Sequence, residues 1–99
     1  MDSVTQDAMV VPLPAQLDQK AAQALAETLL AARGRPVRLD GAAVQRLGGQ
    51  SLQVLLAGAR AWAEDGLGFV IAPCSSELGA GLALFGADEK LTCAPEGAA

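Results

Sequence analysis

Twice in this chain an apolar stripe at helical spacing runs out at a glycine and gives way to a short apolar run of strand length. Ala22, Leu25, Ala26 and Leu29 fall at i, i+3, i+4 and i+7, which is one face of a helix. Asp18 is placed to cap its start, Gly34 is a natural C′ residue, and Pro36 forbids continuation. Val37-Arg38-Leu39-Asp40 then alternates, as a strand does with Val37 and Leu39 toward the core. Leu52, Leu55, Leu56 and Ala59 repeat the helical spacing, Trp62 or Ala63 extends it, and Asp65-Gly66 ends it. Phe69-Val70-Ile71-Ala72, closed by Pro73, is a continuous apolar run that predicts a strand covered on both faces. Strands alternating with helices require an α/β sheet with right-handed crossovers.

The remainder keeps this rhythm. Ala8 to Leu13 reads as a short strand, and Pro12, which cannot donate to a ladder, puts it at an edge or a break. Val44 and Leu47 lead into Gly48-Gly49 and predict a short strand or bridge. Ser75 or Ser76 caps a third helix with Leu78, Leu82 and Phe85 inward, kept short by Gly79 and Gly81. Leu91-Thr92-Cys93 offers a last strand. The expected architecture is one small α/β domain over residues 8–94, a mixed four- to five-stranded sheet with helices packed against it. A flexible N-terminus (1–7) and a flexible tail (95–99) flank it.

Composition narrows the function classes. With 99 residues there is room for one domain. The chain is 52% hydrophobic but only 3% aromatic, so Ala, Leu and Val must build the core. It has no His, which removes Ser-His-Asp and Cys-His catalysis and the His-containing zinc sites. No enzyme, cofactor or metal site is expected. Seven basic residues against eleven acidic ones give a net charge of -4, which argues against nucleic acid and against docking on anionic lipid. Arg33, Arg35 and Arg38 lie close together, but beside a helix end they answer the dipole. Met1 to Asp7 lacks the features of a signal peptide, and no apolar stretch approaches the ~20 residues of a membrane span, so a soluble, cytoplasmic protein is expected. Cys74 and Cys93 are not spaced as a metal motif. Free thiols are the simplest expectation in a cytosolic chain, and a regulatory disulfide is the alternative.

Few residues carry chemistry. The carboxylate pairs Glu64-Asp65 and Asp88-Glu89 fall in turns and read as solvated. Gly48-Gly49 lacks dinucleotide-fingerprint or Walker spacing, and no Lys follows. The stretch Leu47-Gly48-Gly49-Gln50-Ser51-Leu52 is different. Two glycines free the backbone just before a helix whose first N–H groups have no internal partners. Such a start can hold an anion or a partner's carboxylate, and small residues let another protein approach closely. The alternative is a glycine turn that only lets the chain reverse into the helix.

Taken in order, these motifs resemble a STAS domain, the fold of bacterial anti-sigma factor antagonists. Leu17-Asp18 matches the Leu-Asp pair that opens the family's first helix, and Val37-Arg38-Leu39-Asp40 matches its Val-x-Leu-Asp strand. The family's Asp-Ser-Ser/Thr-Gly-Leu-x-Val-Leu-Leu corresponds to Gly48-Gly49-Gln50-Ser51-Leu52-Gln53-Val54-Leu55-Leu56. An apolar strand follows from Gly66 to Ala72, and a short helix ends in Leu82-Ala83-Leu84-Phe85-Gly86. The resemblance covers about residues 8 to 93 and implies a non-catalytic interaction module in signal transduction. It departs where the family carries its switch: Asp falls on Gly48, the phosphorylatable Ser/Thr on Gln50, and the following Gly on Ser51. Gln50 cannot accept a phosphoryl group.

The resemblance implies a docking surface of Asp18, Leu47, Gly48, Gly49, Gln50, Ser51 and Gln53, with Arg60 further along the same helix. The expected partner is a histidine kinase of chemotaxis type or an anti-sigma factor kinase. Two alternatives stand beside it: a phospho-switch antagonist that uses Ser51, or a STAS subunit of a lipid or anion transporter.

Overall fold

The computed structural model describes residues 8–95. The elements in order are β1 (Met9–Pro12), β2 (Gln16–Leu17), α1 (Gln19–Ala31), β3 (Val37–Gly41), β4 (Arg46–Leu47), α2 (Gly49–Glu64), β5 (Phe69–Cys74), α3 (Ser76–Leu84) and β6 (Cys93–Pro95). The main sheet has the order β1-β3-β5-β6, and β2 and β4 form a separate two-stranded sheet. The expected sheet was mixed, but each ladder among the described residues is parallel. Parallel pairing follows from the connections, since a helix carries the chain back before each of β3, β5 and β6, and α1 lies between the paired β2 and β4. The expected N-terminal segment 1–7 and residues 96–99 of the expected tail lie outside the described residues, while Pro95, assigned to that tail, ends β6.

The strand order has a physical consequence. Each crossover steps the same way along the sheet, so crossovers of one hand place all three helices on one face. Burial agrees. Val11, Val37, Leu39 and Ile71 point into the core, while Val10, Arg38, Val70 and Ala72 on the opposite face keep solvent exposure. The expectation that Phe69 to Ala72 is covered on both faces is therefore corrected: β5 is central in the sheet but layered on one side. Pro73 does not close the strand either. β5 runs to Cys74, and the register shifts against both neighbours around Pro73, where a strand lacking one N–H is accommodated.

The helices form as their spacing predicts. Ala22, Leu25 and Leu29 of α1 and Leu52, Leu55 and Trp62 of α2 are buried, and the two helices pack on each other. They meet closely at Gly58, where a Cβ would stand 3.0 Å from the Phe69 ring and 3.1 Å from Leu29. The Trp62 indole is buried and donates through Nε1 to the Arg35 carbonyl at 2.6 Å. Its ring centroid is 5.6 Å from that of Phe69. Gly34 and Gly66 take positive φ (93° and 71°) after the two helices, and Gly66 follows the C-cap Asp65 directly. Gly34 is displaced from the expected C′ position, because α1 is capped at Ala32. Arg33 directly follows the α1 C-cap Ala32. It pairs with Asp65 at 2.9 Å and lies over the Trp62 ring at 5.6 Å, tying the ends of α1 and α2 together.

In α3, Ser75 is the cap, accepting from the Leu78 N–H at 3.0 Å, and Leu78 and Leu82 are buried. Phe85, expected inward, is 51% exposed, because the helix ends at Leu84 and Phe85 is its C-cap. The free-thiol expectation is overturned: Cys74 and Cys93 are joined in a disulfide with Cα atoms 5.5 Å apart.

Candidate partner-docking site

The two-stranded sheet exists because two extended dipeptides each precede a helix. Gln16-Leu17 and Arg46-Leu47 pair in parallel, Gln16 with Arg46 and Leu17 with Leu47. The Gly48 N–H donates to the Leu17 carbonyl at 2.9 Å and prolongs that ladder by one bond. As a result α1 and α2 start side by side, their N-termini launched from adjacent strands.

Each start is capped differently. Asp18 has extended backbone and its carboxylate accepts from the Ala21 N–H at 2.9 Å. Gly48 is the N-cap of α2 and supplies no side-chain acceptor. Its carbonyl takes the Leu52 N–H at 3.0 Å, but no side chain of the cap meets the N–H groups of Gly49, Gln50 and Ser51. The positive end of the α2 macrodipole thus receives no side-chain acceptor from its own cap. Gly48 is required here for space. A Cβ would stand 2.9 Å from the Leu17 carbonyl oxygen, a backbone atom that cannot swing away.

The expected docking residues divide into two sets. Asp18, Gly49, Gln50 and Gln53 are exposed, and Leu47 and Gly48 are half-buried. Gln50, Gln53 and Arg60 stand at i, i+3 and i+10 and share the outer face of α2. Ser51 faces the other way. It is fully buried, and its hydroxyl donates to the Asp18 carbonyl at 3.1 Å, bonding the second helix to the start of the first. An open groove of about 390 Å³ at this junction is lined by Gln16, Leu17, Asp18, Arg46, Leu47 and Gly48. Sequence reading did not include Gln16 and Arg46. The dipeptide strands that bring them together are too short for any periodicity to register.

A family model described as Mlab, STAS domain, matches residues 1–92, and the chain belongs to this STAS domain family. No curated protein matches the chain. STAS domains are generally non-catalytic and commonly interact with protein partners. The family's general role is a signalling or anti-sigma antagonist-like one. No helix among the described residues is long and apolar enough to cross a membrane.

Proposed function

We propose that this chain is a non-catalytic, cytoplasmic bacterial signalling adaptor. It binds and regulates a partner histidine kinase of chemotaxis type, or an anti-sigma kinase, through the start of α2. Asp18, Leu47, Gly48, Gly49, Gln50 and Gln53 form the docking surface, and Gln50 is a permanent uncharged occupant of the position where the family carries its phosphorylated residue. The observation that supports this reading is the division between Gln50 and Ser51. The exposed side chain has no hydroxyl, and the hydroxyl beside it is buried and bonded to Asp18. A kinase that modified Ser51 would first have to break that bond and part the two helix starts.

The test uses the purified chemotaxis-type histidine kinases and anti-sigma kinases of the source organism, each in turn. Binding is measured by calorimetry with the native chain and with Gln50→Glu, which places negative charge at the docking surface. Native binding that weakens at least tenfold in the variant is expected. Failure of the folded native chain to bind sinks the reading. Incubation with the kinase and ATP should leave Ser51 unlabelled by mass spectrometry. Phosphate on Ser51, abolished by Ser51→Ala, would establish the phospho-switch instead. The Mlab description of the matching family model favours one further reading, a STAS subunit of a lipid or anion transporter. On that reading the same surface binds the transporter's ATPase, and the kinase does not compete for it.

A further inference from the structure

The Cys74–Cys93 disulfide has no part in the docking reading, yet it is wired to the docking surface. The two cysteines are 19 residues apart in sequence, and all of α3 lies between them. Cys74 ends the central strand β5, and Cys93 begins the edge strand β6, which is three residues long and pairs only with β5 among the described residues. Cys74 is buried while Cys93 is half-buried. Both line an open cavity of about 550 Å³ together with Ser76, Gly79, Leu82 and Asp88. A small thiol can therefore reach the bond from the Cys93 side without unfolding the domain.

The wiring runs through α3. Directly after Cys74, the Ser75 N–H donates to the Gly41 carbonyl at 3.2 Å, and the Ser75 hydroxyl donates to the Val44 carbonyl at 2.6 Å. These bonds hold the start of α3 to the segment that leads into β4. One helical turn and a half later, Gly81 lies so close to Leu47 that a Cβ there would stand 3.2 Å from the Leu47 Cβ. Leu47 in turn precedes the α2 N-cap. The disulfide thus closes a loop whose helix backs one wall of the docking surface.

We propose that Cys74–Cys93 is a reversible modification site whose reactant is a dithiol reductant, and that its opening frees β6 and slackens α3 against Leu47. One thiolate of the reductant attacks the Cys93 sulfur. The Cys74–Cys93 bond breaks, and Cys74 leaves as a thiolate that takes a proton from solvent. The second thiol of the reductant, deprotonated, attacks its own sulfur in the mixed disulfide, releases Cys93 as a thiolate that is then protonated, and closes the reductant's disulfide. Two electrons pass to the protein pair, and the reductant is oxidised by two. Disulfides that solvent can reach are the labile kind, and here Cys93 is the half-buried, cavity-lining partner of a buried Cys74. The opening step is independent of the docking reading; only its relay to a partner rests on that reading.

The experiment follows the full chain, oxidised, through titration with dithiothreitol in native buffer. Thiols are trapped with iodoacetamide and counted by mass, and backbone hydrogen exchange is read before and after reduction. No alkylation before reduction is expected, followed by alkylation of both cysteines at reductant levels that leave the fold intact. Exchange should then rise over residues 78–95 and at Leu47 at least tenfold more than it does in β1, β3 and α1, whose rise reflects only the lower global stability. Three results would overturn the proposal. They are alkylation of both cysteines in air-oxidised native protein, resistance to the dithiol until the whole chain unfolds, and reduction without change over 78–95. A Cys74→Ser/Cys93→Ser chain supplies the open state independently, and if it does not fold the native titration still decides. No partner enters the measurement, so failure of the docking reading leaves its outcome intact.

Discussion

Gly48 and Asp18 show how single residues shape the proposed docking surface. Both are caps, and they are built on different principles. Asp18 stabilises its helix through a carboxylate on the Ala21 N–H. Replacing it with Ala should cost about 1 kcal/mol in a urea denaturation, the usual value of a lost N-cap. Gly48 makes room for the Leu17 carbonyl instead. The resemblance to the STAS pattern implies Asp at this position, so introducing it is an instructive substitution. Asp at an N-cap gains only a few tenths of a kcal/mol over Gly. Its Cβ would meet a backbone oxygen at 2.9 Å, and overpacking typically costs about 1–3 kcal/mol. Gly48→Asp is therefore expected to lower stability, read as a lower urea midpoint, although it returns the chain to the family pattern. On this account the absence of a side chain at position 48 and the close β2–α2 approach go together. A Gly48→Asp chain as stable as the native one would refute it.

At the scale of elements, α1 and α2 were legible because a 3.6-residue period persists over several turns and each helix has a recognisable cap and stop. β3 was legible for a similar reason, its alternation being undisturbed. The rest failed where tertiary context decides. Pro73 reads as a strand terminator, but a register shift on both sides carries β5 past it to Cys74. Phe85 continues the i, i+3, i+4 pattern of α3, yet the helix stops one residue earlier and leaves the ring outside. The disulfide was not foreseen because a spacing of 19 residues says nothing about separation in space. Of the proposed docking surface, the stretch from Leu47 to Leu52 stood out by its glycines at a helix start, while Gln53 and the docking role came from the resemblance. The burial of Ser51 could not be read from spacing, since it depends on the neighbouring helix start. The α1–α2 pair also yields a prediction. Gly58 is at their closest approach, with Phe69 and Leu29 on either side. Gly58→Val should destabilise by about 1–3 kcal/mol, because two methyl groups must enter filled space. An unchanged urea midpoint would mean that the helices can separate freely.

Considered whole, the molecule is polarised between the two ends of its parallel strands. Among the described residues the order β1-β3-β5-β6 does not reverse direction, so they form no switch point of the kind at which open α/β sheets commonly bind ligands. The carboxyl ends of the strands carry instead the α2 start, the open groove at the β2–β4 pair, and the open cavity at the disulfide beside α3. At the opposite end, Trp62 is bonded to Arg35 just before β3, stacked near Phe69 at the start of β5, and covered by Arg33. This separation makes the single tryptophan a reporter of the far end. Cys74→Ser/Cys93→Ser should cost about 3 kcal/mol, the chain-entropy value for a loop of this length, and so lower the urea midpoint. In buffer the emission of Trp62 should nevertheless match that of the oxidised chain, because loosening β6 and α3 leaves the Arg35, Phe69 and Arg33 contacts in place. A red shift of Trp62 emission without denaturant would contradict the polarised picture. It would mean that the disulfide supports the whole core and not only the end of the sheet that carries the docking surface.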